Sequence, residues 1–168
     1  MATIQSAYSV NKALGYPGMV ADAVDTVRAS KAAAALVNFG TFVCRRASPA
    51  DGVEQCANPA ASADVTARPR GIALKDETRK NSTGGNVGGY AVDDQVVYLR
   101  KGRVVVSVEA AVTQDGAVFV RFAAGTFTQL GAFRGDADTA SAVALPGATY
   151  LTSTVGAGLA IVEINIPA

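Results

Sequence analysis

Residues 94–122, DQVVYLRKGRVVVSVEAAVTQDGAVFVRF, decide the fold class. Valine, phenylalanine and tyrosine crowd this stretch, and branched and aromatic side chains pack well on the pleated surface of a strand. The pattern predicts strands over 95–100, 103–112 and 117–122. Lys101-Gly102 separates the first two and Gln114-Asp115-Gly116 the next two, both signals for a tight hairpin. The expectation is an antiparallel meander.

Downstream, GTFTQLGAFRG, SAVALPGATYLT and GLAIVEINI supply three more strands at the spacing of a sandwich or barrel. In the last of these, Val162, Ile164 and Ile166 share one face and Glu163 and Asn165 the other. Upstream, MVADAVDTVRAS alternates loosely, and KAAAALVNFGTFVC ends in strand-like Val37, Phe39 and Val43. KAAAAL has high helix propensity but spans under two turns, so a helical turn and a strand start both stay open. Residues 47–70, rich in Ala, Ser, Pro and Asp, read as a loop or surface hairpin, and RGIALKDE reads as a short strand. RKNSTGGNVGGY reads as a flexible loop within 76–90. Gly15-Tyr16-Pro17-Gly18 is a turn, because Pro17 fixes its own φ and biases Tyr16 toward extended geometry. Residues 1–15 therefore read as an extended arm carrying Tyr8, Val10 and Leu14, ahead of a single domain over 16–168. About nine short strands make that domain all-β. An antiparallel β-sandwich or jelly-roll-like fold and a small β-barrel both fit the spacing.

Composition narrows the function classes. A chain of 168 residues, 49% apolar and 17% charged, can bury one core and is neither disordered nor a coiled coil. Its 33 Ala and 22 Val against 8 Leu again favour strands. A net charge of +1 offers no broad field for nucleic acid or anionic lipid. The sequence contains no His, the commonest general base and metal ligand. No apolar run approaches the roughly 20 residues that cross a bilayer. MATIQSAYSVNK lacks a basic segment followed by an apolar one, so no secretory signal is expected.

Candidate chemistry is sparse. Cys44 and Cys56 are too few for a disulfide framework or a four-ligand metal site. Two free thiols are the default in a reducing cytosol, while a cross-strand Cys44–Cys56 disulfide stays open because the pair flanks a hairpin-like SPADG. Arg45 and Arg46 beside Cys44 read as solvated arginines next to a strand thiol. GGNVGG has the glycines of a phosphate cradle without the Lys-Ser/Thr that completes one. Asp93-Asp94 and Asp136-x-Asp138 are placed for turn hydrogen bonds rather than as a metal ligand set. Arg134-Gly135-Asp136 is explained by the same turn chemistry, and Arg100-Lys101-x-Arg103 reads as a solvated hairpin end.

Taken in order, GYPGMVAD (15–22), VYLRKGRVVVSVEAAVTQDGAVFVRF (97–122) and AAGTFTQLGAFRGDADTASAVALPGATYLTS (123–153) resemble the structural cement (capsid decoration) proteins of tailed bacteriophages. The similarity runs from about Gly15 to the C-terminal strand and covers 57–88 poorly. The resemblance implies a non-enzymatic virion protein, without cofactor or metal, assembled in the host cytoplasm. It implies binding to the exterior of an icosahedral capsid and clamping of neighbouring major capsid protein subunits. A homo-oligomer, dimer or trimer, and no nucleic acid or membrane partner go with that role. Tyr8, Leu14, Tyr16, Pro17 and Met19 are the expected capsid or oligomer contacts, with Ala2–Leu14 and Thr78–Gly89 as reaching segments. Two other classes share parts of the pattern. One is a tail or head-closure component of the virion. The other is a small enzyme using Glu109 or Glu163 with Asp93, for which no second group stands at useful spacing.

Overall fold

The computed structural model describes residues 15–46, 52–76, 88–125 and 127–167, with backbone alone at Val24. In chain order these form β1 (Val20–Ala33), β2 (Val37–Asn38), β3 (Phe42–Arg45), β4 (Gln55–Ala57), the short helix α1 (Ser62–Thr66), β5 (Pro69–Ala73), β6 (Gly89–Tyr90), β7 (Gln95–Val108), β8 (Ala117–Arg121), β9 (Phe133–Arg134), β10 (Ala142–Tyr150) and β11 (Gly158–Asn165). The all-β class expected from sequence is the one observed. Tyr8, Leu14 and most of the arm, like most of the 76–90 segment, lie outside the described residues.

Nine strands join in one sheet of order β1-β4-β3-β5-β7-β11-β10-β8-β9, while β2 and β6 pair separately. β7 is used along both edges. On one edge it pairs with β5 at Tyr98 and Leu99 and with β11 from Lys101 to Val108. On the other it pairs with β1 from Gln95 to Val104 and with β9 at Val108. The pairings with β1 and β9 bring both ends of the sheet back to its middle and curl it into a partial ring. β1–β4 and β7–β9 run parallel, so the sheet is mixed rather than purely antiparallel.

This pairing corrects the expected meander. Lys101-Gly102 is not a hairpin, because β11 runs straight across it, with Asn165 opposite Lys101 and Ile164 opposite Gly102. Gly102 has φ +127, a conformation closed to most L side chains, so β7 bends there and continues. β1 answers on the far edge with register shifts between Val20 and Arg28, the signature of a bulged, more twisted strand. Gln114-Asp115-Gly116 does turn the chain, the Gly116 N–H donating to the Thr113 carbonyl at 3.0 Å. The strand beyond it, β8, pairs with β10 and β9 instead of β7.

Residues 47–70 hold β4 and α1 where a loop was expected. The Asp64 carboxylate accepts from the Ala60 and Ala61 N–H groups at 2.9 and 3.0 Å and so fixes the start of α1. The Ala-rich stretch before Val37 is strand at its start, since Ala32 and Ala33 pair with Gln55 and Cys56.

Strand alternation sorts the buried side chains into two clusters. Phe42, Ile72, Leu99, Val106, Phe133 and Val162 belong to the larger one. Val43, Ala73 and Tyr98, each next in sequence to one of these, point the other way into a smaller cluster with Val37 and Tyr90. β3, β5 and the first half of β7 are therefore covered on both faces. β11 is covered on one: Val162, Ile164 and Ile166 are buried and Glu163 and Asn165 exposed, as alternation requires.

Gly102→Ala tests the bend directly. An added Cβ would also lie 3.0 Å from the Thr26 methyl, so we expect a loss of about 1–3 kcal/mol. Urea unfolding should show a lower midpoint at unchanged slope.

Candidate functional site

The turn leading into β1 is sewn to the sheet by its backbone. The Met19 N–H donates to the Tyr16 carbonyl at 3.1 Å and closes the turn. The Gly18 N–H donates to the Val105 carbonyl at 2.8 Å, and the Gly18 carbonyl accepts from Lys75 at 3.0 Å. A Cβ on Gly18 would lie 2.7 Å from the Lys75 nitrogen, so only glycine allows this close approach. Tyr16 stays 37% exposed, with the Lys75 ammonium 3.9 Å from its ring centroid, a cation–π contact. Pro17 and Met19 are half-buried. Three of the expected contact residues thus sit together on one surface ridge.

A groove lies on each side of that ridge. One, of about 320 Å³, is lined by Tyr16, Met19, Leu74, Lys75 and Tyr90 among others. The other, of about 380 Å³, is lined by Pro17, Phe39, Val108, Phe127 and Gln129 among others. Phe39 packs edge-on against Tyr90, ring centroids 5.1 Å apart, and so joins the linings of the two grooves. Phe127 is 39% exposed. Sequence reasoning missed Phe127 as a site residue, because a single aromatic in a Gly- and Thr-rich loop carries no periodic signal.

Beneath Phe127 lies a network of buried charge. Arg121 is fully buried. Its Nε donates to both Glu109 carboxylate oxygens at 2.9 and 3.0 Å, one Nη donates to the Ala123 carbonyl at 3.1 Å, and the other pairs with Asp138. Arg134, also buried, reaches Asp138 at 2.8 Å and Asp136 at 2.7 Å, with Glu109 at 3.5 Å. The Phe127 ring lies over both guanidiniums, at 5.6 and 6.0 Å. The same ion pairs hold three successive left-handed residues, Asp138, Thr139 and Ala140, at φ 42, 52 and 70, a conformation that costs an L residue roughly 1–2 kcal/mol. Arg134-Gly135-Asp136 is therefore a structural turn around a buried arginine.

The remaining candidates are dispersed. Cys44 and Cys56 are both buried free thiols, and the disulfide left open by the sequence is not formed. Cys56 stands opposite Arg45, next to Cys44, so alternation sends the two sulfurs to different clusters. Burial pushes their pKa values up to about 12 and about 11, which keeps them protonated and unreactive near neutral pH. Glu109 is held by the arginines, Glu163 pairs with Arg103 on the outer face, and Asp93 sits exposed in the turn before β7. The structure does not bring these carboxylates together. Lys101 and Arg103 pair with Asp25 and Asp22, while Arg100 donates to the Pro167 carbonyl. The basic cluster is therefore split. Among the described residues, no group of three or more Cys, Asp or Glu side chains could hold a metal ion.

The fold is similar to that of a chain in the solved structure "The capsid of Myoviridae Phage XM1", with a TM-score of 0.66 and 17% identity over 98% of each chain. The model of the family described as structural cement protein (E217 gp24/Pam3 gp6) matches residues 4–165, and the chain belongs to that family. No curated protein matches the sequence at a significant level. Membership makes this chain a structural cement protein of the phage type.

Two measurements probe the support under Phe127. Arg121→Ala removes a buried cation and leaves Glu109 undercompensated, and should cost about 3–5 kcal/mol, lowering Tm by roughly 10 °C. The hydrogen bond from Arg121, reinforced by the charges of Arg134 and Arg121, holds the Asp138 carboxyl below its usual range against the opposing effect of burial. A depressed carboxyl stabilises above its unfolded pKa, about 3.9 for Asp, and that contribution is lost as pH falls through the folded value. Titrating stability downward from about pH 5 should therefore show an acid-dependent loss that is smaller in Asp138→Asn.

Proposed function

We propose that this chain seats on the outer surface of an assembled icosahedral shell and clamps neighbouring major capsid protein subunits. Membership of the cement family supports the role. The observation that carries the choice of surface is the ridge of Tyr16, Pro17 and Met19 between two grooves, with Phe127 exposed beside it. Aromatic side chains that are part exposed in the free chain, and fixed from below, are the groups that anchor interfaces. Gly15, the first described residue, adjoins this ridge, and an arm formed by the residues before it would extend the contact along the shell. A dimer or trimer on the shell belongs to the same reading, as does a virion-exterior location.

The test is the amount of chain on purified particles relative to the major shell protein. A ratio near one, with stripped shells becoming fragile, is the expected result. A few copies per particle would move the chain to the tail or head-closure region and overturn the reading. Tyr16→Ser combined with Phe127→Ser should lower shell affinity at least about tenfold while the unfolding midpoint stays close to wild type. Deleting residues 2–14 should also lower occupancy, and an unchanged occupancy would remove the arm from the contact.

A further inference from the structure

Arg45, Arg68 and Arg70 converge on a cleft of about 310 Å³ that Thr66 and Pro167 also line. The backbone creates the convergence. The Arg45 N–H donates to the Arg68 carbonyl at 2.9 Å, at the end of the β3–β5 pairing. Arg68 is neutralised by Asp64 at 2.6 Å, and Arg70 by Glu54. Arg45 is exposed, and its guanidinium has no acceptor among the described residues. Arg100 donates to the Pro167 carbonyl at the cleft wall, and its buried Nε has no hydrogen-bond partner among the described residues. Among the described residues, the three guanidiniums that line the cleft thus share two carboxylates, in a chain whose net charge is only +1. The surplus is local, and it is the kind of imbalance that an anionic partner relieves.

We propose that this cleft docks a carboxylate-bearing segment of the neighbouring capsid subunit, an inference that rests on the shell-binding reading above and adds a polar contact to the ridge. Carboxylate is favoured over nucleic-acid phosphate on three grounds. A planar guanidinium fork matches a carboxylate with two parallel hydrogen bonds. The described lining has no aromatic ring on which a base would stack. A near-neutral chain lacks the extended positive field that a phosphate polymer requires.

The direct test uses the isolated full-length chain and a fluorescent poly-glutamate peptide. Binding should be measurable at about 0.02 M salt and several-fold weaker at about 0.2 M. Arg45→Glu should weaken it about five- to tenfold, whereas Arg103→Glu, an exposed arginine on β7 away from the cleft and from both grooves, should leave it unchanged. No binding, equal effects of the two variants, or tighter binding of an oligothymidylate of equal charge would overturn the proposal, the last by giving the cleft to nucleic acid. Sedimentation with shells separates this inference from the reading it rests on. Loss of Arg45→Glu from shells that retain wild type supports both. Equal retention of Arg45→Glu overturns the cleft and leaves the shell role intact. A wild-type chain that takes the peptide through Arg45 but never sediments with shells supports the carboxylate-binding cleft and overturns the shell role.

Discussion

The fold depends on one constraint: β7 must be paired on both edges while bending at Gly102. An unpaired backbone N–H or C=O in a buried strand costs about as much as a lost hydrogen bond. β5 and β11 divide one edge between them, and β1 and β9 the other. A straight β7 would aim its two halves in one direction, and the sheet could not return to its own middle. The bend makes the curl, and the curl gives β3, β5 and the first half of β7 two buried faces. It also leaves β1 as the strand with most edge to spare. Among the described residues, β1 has a partner on its outer edge only at Ala32 and Ala33. The bulged stretch between Val20 and Arg28 twists that edge away from flat pairing, a familiar protection against unwanted edge-to-edge association.

Local composition reported strand content well and strand pairing poorly. The Val-rich run of 95–108 was legible as strand because β-branched spacing is a local property. The Lys101-Gly102 hairpin was misread because a glycine at positive φ serves a tight turn and a bend in a continuous strand equally well. Only the partners separate the two, and β11 lies more than fifty residues downstream. β4 and α1 escaped notice because three and five residues are too few to show a period. On β11 the reading of Val162, Ile164 and Ile166 was right, since one covered face imposes strict alternation.

The same split applies to the candidate site. Tyr16 and Pro17 were visible as turn residues beside an exposed aromatic, because proline and glycine constrain the chain locally. Phe127 gains its role from Arg121 and Arg134, and a buried arginine pair cannot be told from a solvated one by sequence. Asp136 and Asp138 were read as turn formers and do form a turn, with the Asp138 N–H donating to the Asp136 carboxylate at 3.0 Å. Their second role, neutralising the arginines, depends on Glu109 arriving from the end of β7.

Buried charge under an exposed aromatic is an expensive way to hold a loop, and a hydrophobic core of equal volume is often as stable. Its advantage lies in geometry. A guanidinium with several fixed acceptors admits few arrangements, so the loop above it loses little further freedom when a partner arrives. Under the proposed clamping role, such a pre-set loop suits contacts that are individually modest and multiplied across many copies. Charge placement follows the same logic. A chain near neutrality can lie beside its own copies without strong repulsion, while a small imbalance confined to one cleft still fixes orientation against a partner. In the proposed reading, apolar area supplies the affinity and the arginines the register, separate demands met on separate parts of one curled sheet.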